Sequence, residues 1–361
     1  MIPGTASAEF SLEELQLATR NHGLPLEALR YDVTPVGLHY LLIHFDIPEA
    51  DERAWTLEVG GHVRTPLSLG LDELRSRPAV TVPVTLECAG NGRARLDPRP
   101  FSQPWLDEAV GTAEWTGTPL RPILEEAGIA DGAVEVLFTG TDRGLQGGVE
   151  HAYERSLTVD EALREELLLV WGMNGLPLPP QHGYPLRLVV PGWYGMASVK
   201  WLSRITVLRE PFEGFQQADA YRLHASEDDP GTPVTRIEPR SLMVPPGVPA
   251  FETRERLLAP GRHVLTGRAW SGRAPVAGVE VSTDGGATWQ AVELGPRAGD
   301  WAWVGWTFAW DATPGEHVVC SRATDEAGNT QPAEPAWNTG GYVNNAIQRL
   351  RVEVREDVPA G

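Results

Sequence analysis

Cysteine is scarce in this chain: two among 361 residues, Cys88 and Cys320. A four-thiolate iron–sulfur cluster is therefore excluded, and the absence of CxxCH excludes haem attached in the manner of c-type cytochromes. Nothing suggests a disulfide framework, although a Cys88–Cys320 bridge is left open. No run of about 18 apolar residues is present, which excludes a transmembrane helix. Positive charge is also short, with Lys+Arg 30 against Asp+Glu 49 and a net charge of −19. Nucleic acid and anionic membrane are thereby disfavoured as main partners, since phosphate binding needs basic surface. A few local arginines can still hold a small anion. HExxH, Walker A and GxSxG are missing, and no His/Cys spacing resembles a zinc site. No segment repeats with a period of 20–50 residues. The start, "MIPGTASAEFSLEELQLATRNHG", has no basic n-region, apolar h-region or twin arginine. The expected location is cytoplasmic, or periplasmic if the chain has been trimmed.

What is present is a globular composition, 42% hydrophobic and 22% charged, on a chain too long for one ordinary core. Ser11 and Glu14 form a capping-box pattern and predict a helix over 11–20. Strands are expected at 40–48, 55–61, 79–90, 133–142, 185–193 and 199–210, and helices at 68–78 and 120–129, with Gly128 as C-cap. Thr158 caps a short helix that gives way to an apolar run. Helices and strands mix without regular βαβ alternation, which predicts an α+β fold. The Pro-rich stretch 225–252 is expected to be a linker. From about 262 the pattern is all-β: "WAWVGWTFAW" alternates as a strand with one aromatic face, and Asp284-Gly285-Gly286 marks a hairpin. Cys320, in "HVVCSRA", is expected to be a buried structural thiol. Two domains follow, 1–228 and 229–361.

Cys88 draws attention chemically. It ends a β-branched run and precedes Ala-Gly-Asn-Gly-Arg, small residues that let the backbone turn sharply and approach a ligand. Arg93 supplies a cation that favours the thiolate. A thiolate is a nucleophile or a ligand for a soft metal, while a buried cysteine at a strand end is equally compatible with the pattern. "TRNHG" (19–23), "QHGYPLRLVVPG" (181–192) and "GMASVKW" (195–201) add guanidinium, imidazole, hydroxyl and ammonium groups. Singly each reads as turn or surface chemistry; together they suit a phosphate-bearing cofactor.

"TRNH", "LECAGNGR", "MNGLPLPPQHGYPLRLVVPG" with "VKWL", and "GRAWSG" with "VEVSTDGGATW" occur in the order found in the sulfite oxidase family of molybdenum enzymes, which the chain resembles over nearly its whole length. The resemblance implies a sulfite-oxidase-type molybdopterin-binding domain followed by an immunoglobulin-like β-sandwich dimerisation domain, and hence a homodimer. It implies a molybdenum–molybdopterin cofactor with Cys88 as the metal ligand; no haem is expected in this chain, which lacks CxxCH and leaves no length for a domain resembling cytochrome b5. Arg20, Asn21, His22, Ala89, Asp142, His182, Arg187, Ser198 and Lys200 match its cofactor contacts.

For the substrate, the resemblance implies a cationic cup of Arg20, Arg93 and Arg273 with Trp105. Planar guanidinium forks suit sulfite or another small oxyanion. Where the family carries a pocket tyrosine before "MNG", this chain has Trp171. Indole donates one hydrogen bond and offers no phenol proton, so Tyr194 is a candidate replacement. The implied reaction is oxidation of sulfite to sulfate by oxygen-atom transfer, with electrons passed to a separate acceptor, a cytochrome c-like protein or dioxygen. Alternatives are nitrate or sulfoxide reduction, or sulfane sulfur oxidation, on the same cofactor. A non-catalytic protein that has kept the fold would have lost Cys88 or the arginines, and neither is lost.

Overall fold

The computed structural model describes residues 10–226 and 228–358. The first nine residues, on which part of the reading of the N-terminus rests, lie outside them, as does Glu227 beside the expected domain boundary. Among the described residues, no helix is long and apolar enough to cross a membrane.

Helix α1 (Leu12–Arg20) forms on the capping box: Ser11 Oγ accepts from Glu14 N–H and the Glu14 carboxylate accepts from Ser11 N–H. There follow β1 (Thr56–Gly61), β2 (Leu67–Gly70), α2 (Leu71–Ser76), β3 (Val80–Glu87), β4 (Val110–Pro119) and α3 (Arg121–Ala127). After α3, which Gly128 ends at φ 68°, come β5 (Glu135–Gln146), β6 (Val149–Thr158) and the Thr158-capped α4 (Val159–Ala162). β7 (Leu168–Met173), β8 (Leu176–Pro177), β9 (Arg187–Val189) and β10 (Leu202–Leu208) complete this part. One sheet has the order β2-β1-β10-β5-β6, with β1 and β10 parallel. The other runs β3-β4-β7-β8, with β9 also on β7. A few short helices on two sheets make the expected α+β unit.

Two expected elements differ. Residues 40–48 do not form a strand; only Leu41 pairs, in an isolated bridge with His22. Leu42 and His44 in that run instead wall the central cavities, so its apolar character is satisfied by the site and not by a sheet. Residues 68–78 divide: Leu67 and Leu69 pair against β1, and helix begins only at Leu71.

The remaining strands are β11 (Arg222–Leu223), β12 (Thr232–Pro233), β13 (Arg240–Met243), β14 (Val248–Pro249), β15 (Arg256–Leu258), β16 (Gly261–Trp270) and β17 (Val276–Ser282). After them come β18 (Gln290–Ala291), β19 (Glu293–Arg297), β20 (Val304–Ala312), β21 (Gly315–Asp325) and β22 (Arg349–Val354). A four-stranded sheet, β13-β16-β20-β19, faces a six-stranded one, β14-β15-β22-β21-β17-β18. Leu265, Ala269 and Trp306 from the first share a core with Val279, Val281, Val319 and Ala323 from the second, the immunoglobulin-like sandwich expected. Trp306 and Trp310 form the buried aromatic face of β20, while Trp303, just ahead of it, packs into the core of the first part. Cys320 is a buried free thiol. The stretch 225–252 is more than a linker: it carries β13, all four residues buried and in register with β16 from Arg240–Trp270 to Met243–Gly267.

Candidate active site

β3 runs from an exposed start through half-buried residues to four wholly buried ones, so the chain delivers Cys88 to the interior. Cys88 N–H donates to Ala109 O at 2.9 Å, and its carbonyl accepts from Asn91 N–H at 3.0 Å, which starts the turn. Gly92 sits at φ 87°, and a Cβ there would fall 2.9 Å from Asn344 O. At Gly90 a Cβ would meet the Arg93 guanidinium at 2.6 Å. These glycines let Arg93 fold back beside Cys88. Arg93 is 4% exposed. Its Nε donates to Gly340 O at 2.9 Å and its Nη1 to Gln103 O at 3.0 Å, with its plane 5.0 Å from the Tyr342 ring centroid. Among the described residues no carboxylate pairs with it; Glu87 and Asp107 are held by Arg240 and Arg95. Burial raises the Cys88 thiol above its ordinary pKa and outweighs the opposing Arg93 charge.

Cys88 lines two cavities. The first is a narrow cleft walled by Ala89, Asp142 of β5, His182, Arg187 of β9, Ser198 and Lys200. Arg187 donates to the carbonyls of His182 (3.0 Å) and Ser198 (3.2 Å). Lys200 Nζ donates to Leu42 O (2.7 Å) and Gln181 O (3.2 Å). Burial pulls Arg187 down to about 10 and Lys200 down to about 7, the Arg187 charge adding to the latter. Burial also keeps His39 (about 4) and His182 neutral. Asp142 is pushed up to about 6 by burial against the pull of Lys200. Asp142 Oδ1 and His39 Nε2 are buried without a hydrogen-bond partner. Buried cations are costly unless an anionic group fills the space, and the orphaned Asp142 oxygen is costly unless a hydrogen-bond donor meets it. The set of side chains therefore fits a phosphate-bearing cofactor that also carries hydrogen-bond donors, in a cleft that a thiol lines as well.

The second cavity, about 370 Å³, is walled by Arg93, Gln103, Trp105, Tyr221 and Tyr342, with Phe45, Phe101 and Leu145 towards its mouth. Tyr221 Oη lies 2.8 Å from His44 Nε2.

The structure thus gathers Cys88, Ala89, Asp142, His182, Arg187, Ser198 and Lys200 in one cleft, and Arg93 and Trp105 in the adjoining cavity. Other expected residues stand elsewhere. Asn21 is buried behind the wall, accepting from Ile43 N–H (2.7 Å) and donating to Gln103 Oε1 (3.0 Å). His22 is exposed, and exposed Arg20 donates to Phe45 O at the rim. Arg273 is outside the pocket, because the loop after β16 turns it onto Glu238 (2.8 Å). Trp171 lines neither cavity: the β7 register, with its carbonyl accepting from Leu178 N–H at 2.9 Å, sends it to pack on the first core. Tyr194 is buried there too, its Oη 3.4 Å from Glu238 N. The phenols facing the cavity are instead Tyr221 and Tyr342. Only Tyr342 carried a local signal, the preceding Gly340-Gly341 turn.

The second part completes the site. Arg240 donates to Glu87 Oε1 (3.0 Å), Asp107 Oδ1 (2.9 Å) and Asn344 O (2.7 Å). Trp270 Nε1 donates to Glu87 Oε2 (2.8 Å), and Asn344 Nδ2 to Gly92 O (2.8 Å). The residues flanking Cys88 are therefore held from the sandwich.

Residues 44–216 match the family described as the oxidoreductase molybdopterin binding domain, and residues 251–355 match the Mo-co oxidoreductase dimerisation domain. The chain is 34% identical over 352 residues to the nitrate reductase, NAD(P)H, of Hordeum vulgare, covering 89% of this chain and 39% of that protein. It is 34% identical over 342 residues to mitochondrial sulfite oxidase of Mus musculus, covering 89% of this chain and 62% of that protein. The chain thus spans less than two thirds of the length of these relatives. Among solved structures it is similar to the sulfane dehydrogenase SoxCD from Paracoccus pantotrophus. There the TM-score is 0.79 at 26% identity, over 92% of this chain and 86% of that one.

Proposed function

This chain belongs to the sulfite oxidase family of molybdenum oxidoreductases, and from that premise we propose that it oxidises sulfite to sulfate, passing the electrons to a separate c-type cytochrome or dioxygen. The observation that carries the reading is the position of Cys88, where a cleft suited to a phosphate-bearing cofactor meets a cavity holding an unpaired guanidinium. Molybdopterin-bound molybdenum, the family's cofactor, supplies two-electron oxygen-atom transfer when bound. Cys88 would ligate the metal, and Arg187, Lys200, His182 and Ser198 would hold the phosphate-bearing end. Arg93 draws the substrate anion into the cavity and sets its orientation. The Tyr221 hydroxyl, near neutral His44, offers a hydrogen bond to a substrate oxygen, and Trp105 walls off water. The dimerisation domain supports a homodimer.

A second reading, reduction of a monoanion such as nitrate, is favoured by one feature: among the described residues Arg93 is the single arginine lining the substrate cavity. Steady-state assays with sulfite, nitrate and methionine sulfoxide, alongside molybdenum analysis, separate the two. Cys88→Ser is expected to fold and to retain pterin while losing oxidation of the substrate. Full activity in that variant refutes the thiolate assignment.

A further inference from the structure

A bare inorganic anion occupies little of the second cavity. Its volume, about 370 Å³ with the metal's place on Cys88 included, lies at the lower end of the range of sites that enclose organic molecules, roughly 300–1,000 Å³. A single guanidinium serves it, Arg93, buried and with no carboxylate partner among the described residues. One unpaired buried cation calls for one negative charge. Arg20 and Arg273, which would have adapted the cavity to a dianion, are directed to Phe45 O and Glu238. The rest of the wall mixes apolar and aromatic side chains with the polar but uncharged His44, Ser102, Gln103 and Gln146. At the mouth Phe101 is 67% and Leu145 72% exposed. Two large apolar side chains beside an opening gain most when an apolar ligand covers them.

Resting on the oxygen-atom-transfer reading above, we infer that the cavity is built for an organic sulfinate, R–SO2⁻. Its charged head meets Arg93 beside Cys88, and its apolar R group lies along Phe101 and Leu145. A sulfinate unites the three properties the walls select: a single charge, an apolar body, and a sulfur lone pair able to take up an oxygen atom. The step balances as R–SO2⁻ + H2O → R–SO3⁻ + 2H⁺ + 2e⁻. One S–O bond forms with oxygen from water, the sulfur is oxidised by two electrons, and two protons go to solvent. The electrons go to a one-electron acceptor, a c-type cytochrome or, in the assay, ferricyanide.

The test compares benzenesulfinate, methanesulfinate and sulfite on the molybdenum-loaded enzyme with ferricyanide. The expected result is a kcat/KM for benzenesulfinate about tenfold or more above that for sulfite. In the double variant Phe101→Ser/Leu145→Ser the ratio of benzenesulfinate to methanesulfinate activity should fall about tenfold. A second measurement needs no turnover: calorimetric binding of benzenesulfonate and of sulfate to the same protein. Benzenesulfonate should bind about tenfold more tightly and lose that binding in Arg93→Gln. Sulfate binding as tightly as benzenesulfonate, or sulfite outpacing both sulfinates, overturns the sulfinate site and leaves the sulfite oxidase reading standing. If no sulfur compound is oxidised, the catalytic reading fails, and the binding comparison alone decides whether the cavity selects an organic anion.

Discussion

At the scale of single residues, Arg93 and Asp142 carry the sharpest consequences. Arg93 holds its place through two backbone carbonyls and leaves its charge for a ligand. Removing one partner of a buried charge-assisted pair costs on the order of 2–5 kcal/mol. Arg93→Gln should therefore raise KM for the anionic substrate by about 10²–10³-fold with a smaller effect on kcat, checked by steady-state kinetics. Lysine should rescue only part of this, because it lacks the planar fork. Asp142, ordinarily near 3.8, is raised to about 6 by burial. Its contribution to stability is full below the unfolded value and is lost as pH rises towards the folded one. Lys200, lowered from 10.5 to about 7, acts the other way: its contribution is full above the unfolded value and is lost as pH falls to the folded one. In cofactor-free protein, Asp142→Asn should melt progressively higher than the parent as pH rises from about 4 to 6. Thermal scans across that window check it; a constant difference would contradict the assignment.

At the scale of elements, the turn after β3 decides where the thiol and the guanidinium stand. Gly92 at φ 87° abuts Asn344, so a side chain there meets both a strained backbone and a close neighbour. Gly92→Ala should cost about 1–3 kcal/mol, read by denaturant unfolding, and should weaken activity by shifting Arg93. The same scale explains the misplaced tryptophan. Trp171 follows the register of β7 onto the first core, whereas Tyr221 comes from irregular chain just before β11 and reaches both cavities. Periodicity marks which face of a strand is buried but not which of two buried surfaces it meets.

At the scale of the whole molecule, the sandwich is part of the site. Arg240, 2% exposed, ties Glu87 beside Cys88 to Asp107 and to the chain at Asn344. Arg240→Ala leaves two buried carboxylates short of a partner, and breaking such a pair costs about 3–5 kcal/mol. Urea unfolding should show that loss, together with weaker activity, since Glu87 then no longer fixes the strand end. Tyr342 beneath Arg93 and Gly340 accepting from it come from the same C-terminal region.

Short-range patterns were legible in the chain: the Ser11–Glu14 cap, the strand ending at Cys88, the Gly-rich turn behind it, and the alternating Trp strand. So were the motif residues of the cofactor cleft, because His182, Arg187, Ser198 and Lys200 lie within one compact stretch of backbone. Of the second cavity only Arg93 and Trp105, beyond the shared Cys88, were legible. Its Arg93 is held by Gly340, 247 positions away, and its brace joins Arg240 to Glu87 across 153. Contacts at such separation arise from strand register and the docking of two cores, which no local spacing encodes. The sequence by itself determined the kind of cofactor and singled out Cys88, Ala89, Asp142, His182, Arg187, Ser198 and Lys200, which line one cleft. Only the tertiary structure decided which cations and rings line the second cavity, because it alone turned Arg273 and Trp171 away and brought Tyr221 and Tyr342 in.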